Sequence, residues 1–284
     1  MKIRQGDVAL ITGASRGIGR HIALALAHQG MELVLAARSK DGLDAVADEV
    51  RSAAGVTVSK LTVDLGDRAQ AAALVARAEK VAGCVDVLVN NAGREAAVRP
   101  DDVTVDELAA MTDVNLLAPM VLTRTVLPGM IERGRGHIVN VASVAGLLAS
   151  AYTESYNATK FGLVGFTRAL RLSAQDQKWG ISASAVCPGF ISGDGMFADM
   201  QSEFGVEAPK AAAAMPAELV GDAVVKAIEK DLPEVIIMRG PTRISLAMSD
   251  IAPRLFERIV RKLDLAAPFR TVADRRHAAD RPGA

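Results

Sequence analysis

The sequence predicts one α/β domain, a doubly wound parallel sheet of about seven strands with helices on both faces in three layers. Three observations predict it. Short continuous apolar runs recur along the chain, as strands buried on both faces require. Stretches with helical apolar spacing alternate with them. The 284 residues, 50% hydrophobic, suffice for one large core without division. Lys+Arg and Asp+Glu both number 33, so no net field favours nucleic acid or an anionic membrane. Cys84 and Cys187 lack paired spacing and suit buried roles in a reducing cytoplasm better than a disulfide or a metal site. No signal-peptide block precedes the first strand and no apolar run of about 18 residues occurs, so a soluble cytoplasmic protein is expected.

The elements follow in order. Val8 to Ile11 reads as a strand and Arg20 to Gln29 as a helix stopped by Gly30. Between them lies the turn Thr12-Gly13-Ala14-Ser15-Arg16-Gly17-Ile18-Gly19. Glycines there let the backbone approach a pyrophosphate, and the positive end of the following helix stabilises the anion; a merely tight connection would use glycines too. A second strand, Glu32 to Ala36, leads through Ala37, Arg38 and Ser39 into a helix from about Asp41 to Ala53. The third, Thr57 to Val63, ends in Asp64-Leu65, where Asp64 could instead cap the helix beginning near Asp67. The fourth, Asp86 to Val89, runs into Asn90-Asn91-Ala92-Gly93. Two helices fill Pro100 to Arg133 with Asn115 inside, a residue whose amide competes for helical backbone groups. Gly136 to Ala142 forms the fifth strand and delivers Ser143. After a helix over Tyr152 to Leu172, the sixth strand, Ile181 to Val186, is stopped at Pro188-Gly189. A helix over Pro216 to Lys230 and a strand over Glu234 to Met238 complete the pattern.

Ser143 to Lys160 carries the chemistry. Tyr156 and Lys160, four apart, lie one turn apart on one helical face. A phenol titrates near pH ~10, and an adjacent ammonium lowers that value and makes it a usable proton donor and acceptor. Ser143 has no base beside it and can donate to a substrate oxygen. Tyr152 precedes Tyr156 by four residues but lacks a cation, so it reads as a pocket-wall or packing residue.

Taken together, Ser143, the Tyr156-Asn157-Ala158-Thr159-Lys160 run and the Gly-x-x-x-Gly-x-Gly turn resemble the short-chain dehydrogenase/reductase family over roughly Val8 to Met238. The resemblance implies a Rossmann-type fold and an oxidoreductase that moves a hydride between a nicotinamide cofactor and an alcohol or carbonyl. It gives Tyr156 the role of general acid/base, Lys160 that of lowering its pKa, and Ser143 that of orienting the substrate oxygen. Asn115 would distort its helix and support a proton-relay water; an ordinary helix cap is the alternative. Cofactor contacts are implied for Gly13, Ser15, Arg16, Gly17, Ile18 and Gly19. Asp64 and Leu65 would meet the adenine, with Asn90, Asn91, Ala92 and Gly93 along the cleft. Tyr156, Lys160, Pro188, Gly189 and Ile191 would lie near the nicotinamide. Gly193 stands where the family usually has threonine, so the backbone or Ser192 is expected to substitute; Asp194 and Gly195 adjoin it. No metal is expected.

The cofactor is expected to be NADP(H) and not NAD(H). No carboxylate lies between Leu33 and Lys40 to accept from a ribose 2′-hydroxyl, while Arg38 and Arg16 suit a 2′-phosphate. A sugar-nucleotide epimerase or dehydratase is disfavoured by the glycine spacing, and a non-catalytic dinucleotide sensor by the presence of both Tyr156 and Lys160. The family usually pairs through helices corresponding to about Asn115 to Arg133 and Tyr152 to Lys178, which implies a homo-oligomer.

Residues 1–240 are expected to form the dinucleotide-binding catalytic part and 241–284 a C-terminal extension of the same domain. The loop from Asp194 to Met215 carries Met196, Phe197, Met200, Phe204 and Met215, an adaptable apolar wall for a lipophilic carbonyl or simply core anchors. Leu147, Leu148 and Tyr152 tip the reading towards an apolar cleft. Ile251, Leu255, Phe256, Ile259, Val260 and Leu263 recur at helical spacing among Arg254, Arg258, Arg261 and Lys262, a helix expected to pack on its own or a partner subunit in preference to a membrane. Asp274 to Ala284, polar and short of apolar side chains, is expected to be disordered.

Overall fold

The computed structural model describes residues 1–193, 195–209 and 212–280. Asp194, part of the loop discussed above, lies outside them. The first half of the chain alternates β1 (Val8–Thr12), α1 (Gly17–Ala27), β2 (Glu32–Ala37), α2 (Lys40–Ala54), β3 (Val58–Thr62), α3 (Arg68–Ala82) and β4 (Val87–Asn90). Then come α4 (Val105–Thr112), a π-helical turn (Asp113–Leu117), α5 (Ala118–Glu132), β5 (Gly136–Val141), α6 (Glu154–Asp176) and β6 (Ile181–Pro188). Short β7 (Ile191–Ser192), α7 (Met196–Phe204), β8 (Met215–Pro216), α8 (Glu218–Glu229), β9 (Glu234–Ile237), α9 (Thr242–Ile251), α10 (Pro253–Lys262) and α11 (Ala267–Asp280) complete it.

Seven strands form one sheet in the order β3-β2-β1-β4-β5-β6-β9, with β7 and β8 paired separately. Every pairing in the large sheet is parallel; Ala9 sits opposite both Leu33 and Val87, and Leu33 opposite Val58. The expected sheet is thus borne out, with strand ends within about two residues of the reading, the usual scatter of element boundaries. Alternate strand residues feed two apolar layers. Ala9, Ile11, Leu33 and Leu35 face α1, α2 and α8, while Leu10, Val34, Leu88 and Ile138 face α3 and α5. The helical stretch Val105–Glu132 is 28 residues long and apolar enough by composition to cross a bilayer. Here that apolar surface serves the second layer, where Leu122, Val126 and Met130 are fully or almost fully buried.

The chain's end departs from expectation. Asp274 to Ala284 was expected to be disordered, yet α11 runs to Asp280; residues 281–284 lie outside the described residues. Val272 is buried in a cluster with Ala97, Phe197, Met200, Phe204 and Val206, and Ala273 beside it is buried as well. The polar side chains find fixed partners: Arg275 donates to the Phe204 carbonyl, Arg276 to the Ala97 carbonyl, and His277 pairs with Asp102. Low apolar content alone does not report such long-range anchoring.

Candidate active site

The sheet order reverses direction between β1 and β4, and in doubly wound folds ligands bind beyond the strand ends at that switch point. A cleft of about 510 Å³ opens there. Its walls are Gly13 and Ser15 to Gly19, Arg38 and Ser39 beyond β2, Asp64 and Leu65 beyond β3, and Asn91 to Arg94 beyond β4. The walls are held from beneath. Thr12 Oγ1 accepts from the Asn91 and Ala92 amides at 3.0 and 3.1 Å, and Asn91 Nδ2 donates to the Thr12 carbonyl at 3.0 Å. A Cβ on Gly19 would lie 2.2 Å from the Gly13 carbonyl oxygen, so only glycine permits this turn.

Arg16, the residue ahead of α1, offers the helix no side-chain cap, and the first turn holds no acidic residue. An anionic group therefore meets the favourable end of the helix dipole there. Arg38 is exposed and makes no ion pair among the described residues. Arg16 is bidentate to Asp199 on α7, with contacts of 2.8 and 2.6 Å across the mouth of the cleft. Asp64 accepts from the Gly66 amide, whereas Asp67 is the residue that caps α3. Asn90 differs from expectation. Its amide donates to Asn140 Oδ1 at 2.8 Å inside the sheet and lines none of the clefts described here.

A smaller cavity of about 70 Å³ joins this cleft, sharing Ile18, Asn91 and Met196 with it. Ser143, Tyr156, Lys160, Pro188, Gly189 and Ile191 converge on it. β5 delivers Ser143, whose hydroxyl accepts from the Ala145 amide at 3.1 Å. The loop that follows lies tight on the catalytic helix: a Cβ on Gly146 would sit 2.6 Å from the Lys160 carbonyl oxygen. Gly146 is a positioning residue that the motif reading missed. Lys160, 2% exposed, donates to the Val141 carbonyl at 3.0 Å, with its ammonium 5.6 Å from the centre of the Tyr156 ring.

Electrostatics correct one expectation. Burial, reinforced by Glu95, pushes the Tyr156 phenol above its usual value, and the Ser143 hydrogen bond opposes this only in part. Lys160 does not bring it down in this structure; burial lowers the lysine itself to about 8.

Asn115 sits in the π-helical turn, 1% exposed. Its side chain clamps the loop after β4, accepting from the Arg94 amide at 2.7 Å, donating to the Arg94 carbonyl at 2.8 Å, and reaching Thr159 Oγ1 at 3.2 Å. It caps no helix.

Beyond Ser143 and Tyr156 a third space of about 340 Å³ opens, sharing Glu95, Gly189 and Phe197 with the catalytic cavity. Phe190, Phe197 and Phe269 form its aromatic wall, with ring centres 4.7 and 5.9 Å apart. The apolar loop divides between the two readings. Met196 and Phe197 line cavities, while Met200 and Phe204 are buried in an apolar cluster and Met215 packs on the main core. Leu148 lines the third space; Leu147 packs inward. Tyr152 lies outside α6 in a left-handed conformation with φ 67°, and its side chain engages Arg270. Ser192, expected to replace the family's threonine, donates instead to the Met215 carbonyl at 3.3 Å. Phe256 and Val260 on α10 and Phe269 on α11 close the cleft, a role of the extension that helical spacing did not reveal.

A glycine-turn groove that leads to Ser143 beside the buried Tyr156 and Lys160 suits redox chemistry on a small molecule, and comparison with known proteins agrees. The short chain dehydrogenase family profile matches residues 7–203. Ketoacyl reductase HetN of Nostoc sp. is 40% identical over 261 residues, 90% of this chain and 88% of the relative. D-beta-hydroxybutyrate dehydrogenase of Cupriavidus necator is 36% identical over 66% of this chain and 71% of its own length. Among solved structures, a single-substitution variant of actinorhodin polyketide ketoreductase with NADPH superimposes with TM-score 0.74 at 31% identity, covering 84% of this chain and 97% of the other. A metagenomic short-chain oxidoreductase in complex with NADP gives 0.69 at 32%, covering 82% and 97%. The chain belongs to the short-chain dehydrogenase/reductase family and is an oxidoreductase.

Proposed function

We propose that the protein is an NADP(H)-dependent reductase of lipophilic ketones, with ketoacyl chains as the favoured class. The observation that carries this reading is continuity: the glycine-turn cleft, the Ser143–Tyr156–Lys160 cavity and the apolar space share lining residues in sequence. Relatives named as ketoacyl or polyketide ketoreductases support the substrate class. Arg38 at the end of β2, with the structural neighbours held with NADP or NADPH, supports the cofactor.

When bound, the reduced nicotinamide supplies the hydride. Gly13, Ser15 to Gly19, Asp64, Leu65 and Asn91 to Gly93 would hold the dinucleotide, with Pro188, Gly189 and Ile191 at its reactive end. The Ser143 hydroxyl orients the substrate oxygen. Tyr156 donates its phenolic proton to that oxygen as charge develops there. The phenol, its pKa pushed up by burial, is protonated at neutrality and so is present in the form that donates. Lys160, anchored on Val141, holds positive charge behind the ring, and Asn115 fixes the loop that borders the cavity. A panel of ketones followed by nicotinamide absorbance with both cofactors tests the reading. Turnover of 3-oxoacyl thioesters with NADPH supports it; turnover of polyols alone, or preference for NADH, contradicts it.

We also infer a homo-oligomer. Met120 on α5 and Phe161 and Leu172 on α6, the helices through which the family usually pairs, are 38%, 44% and 66% exposed and so open to a partner copy. Sedimentation as a monomer at micromolar concentration would contradict this. The free cysteines Cys84 and Cys187 support a reducing, cytoplasmic setting.

A further inference from the structure

Glu95 is the one acidic residue lining both the catalytic cavity and the apolar cleft among the described residues. Its place is rigid. On its N-terminal side Asn115 grips both the amide and the carbonyl of Arg94. On its C-terminal side Ala97 is fully buried and its carbonyl is held by Arg276. The carboxylate has no hydrogen bond or ion pair among the described residues, although the cleft around it is walled by Phe190, Phe197 and Phe269. An unpaired carboxylate in apolar surroundings is costly, and such groups concentrate at functional sites.

We propose that Glu95 is a specificity-determining residue that excludes free acids from the cleft and so restricts the protein to neutral acyl substrates such as esters, thioesters and amides. The proposal rests on the ketone-reductase reading of the same site. A ligand whose carbonyl reaches Ser143 and Tyr156 occupies the cavity that Glu95 also lines, and a second carboxylate there meets the like charge of a half-buried side chain in a largely apolar cleft. The charged groups around Glu95 do not cancel this at every pH. Tyr156 and Lys160 face it from α6 and Arg276 from α11. Arg261, Asp264 and Arg270 stand at the far walls of the cleft, where Asp264 and Arg270 pair with each other. Burial outweighs Lys160 and Arg276 and pushes the Glu95 carboxyl up to about 7. Exclusion is therefore strong above neutrality, where Glu95 is ionised, and relaxes as pH falls below about 7 and it becomes neutral.

The test is calorimetric titration of octanoate and octanamide into the full-length protein at about pH 6 and about pH 8.5, between which free octanoate stays ionised. At the higher pH the amide should bind at least about tenfold more tightly, the weight of one pKa unit of like-charge interaction, and the gap should narrow at the lower pH. Glu95→Gln should remove most of the gap and its pH dependence, while Glu95→Asp, which keeps the charge, should preserve both. Equal binding of the two ligands to the unaltered protein at high pH would overturn the proposal. So would binding of neither ligand, or an unchanged pH-dependent preference in Glu95→Gln. Because binding is read without turnover, a protein that discriminates but reduces nothing would sink only the ketone-reductase reading.

Discussion

Phe269, near the start of the last helix, stacks on Phe190 beyond β6 with ring centres 5.9 Å apart and planes 23° from parallel. One contact thus joins the C-terminal extension to the strand end that borders the catalytic cavity. Phe269→Ala removes one wall of the apolar cleft. Each methylene of a long-chain ketone that loses its apolar cover there forfeits about 0.8 kcal/mol, so losing one or two should raise KM by about fourfold to fifteenfold. A small ketone that does not reach this wall should show little change in kcat/KM. Steady-state kinetics on a chain-length series checks both.

Arg38→Ala removes the guanidinium best placed for a 2′-phosphate. Hydrogen bonds to charged groups contribute about 1.5–3 kcal/mol, so NADPH affinity should fall by roughly tenfold to a hundredfold while NADH affinity hardly moves. Fluorescence titration with both dinucleotides distinguishes this from a general loss of the site. Arg16→Ala should weaken NADPH less, since Arg16 is already engaged by Asp199.

Most of the frame was legible because strand and helix periods differ and each βα unit repeats the contrast, as at Val8–Thr12 followed by Gly17–Ala27. Tyr156 and Lys160 were legible because four residues on a helix fix a neighbourhood without any tertiary knowledge. Glu95 was not. Next to Arg94 it reads as ordinary loop charge, and only the Asn115 clamp and a helix some 180 residues further on enclose it. The sign of the Tyr156 shift was missed for the same reason: spacing shows the cation but not the burial that outweighs it.

Gly19→Ala places a methyl 2.2 Å from the Gly13 carbonyl oxygen and 2.9 Å from the Ala14 Cα, both backbone atoms. Overpacking of this kind costs about 1–3 kcal/mol. Denaturant unfolding should report that loss, and dinucleotide binding should weaken with it.

His137, fully buried in β5 and 2.8 Å from Ser184 Oγ, is held neutral, its pKa lowered by burial to about 3. The unfolded chain takes up this proton near pH 6.5 and the folded chain only near 3, so the unfolded state binds more protons between those values. Stability should therefore fall as pH drops below about 6.5, with this residue contributing up to about 1.4 kcal/mol per pH unit. Denaturant unfolding from pH 7 to 4.5 should show a shallower slope in His137→Gln than in the unaltered protein.

With the Tyr156 phenol pushed up, ketone reduction should vary little below neutrality and change as Lys160 loses its charge around its midpoint of about 8. Alcohol oxidation, which needs the phenolate, should climb with pH over the same range. Matching pH profiles for the two directions would contradict this assignment.

The most direct test of the account is Tyr156→Phe, followed by NADPH consumption with a 3-oxoacyl thioester and by NADPH titration. Loss of the phenolic proton should lower kcat by about 10²–10⁴-fold while NADPH affinity stays within a fewfold of the unaltered protein. Turnover retained within a fewfold would contradict Tyr156 as the proton donor and with it the proposed mechanism.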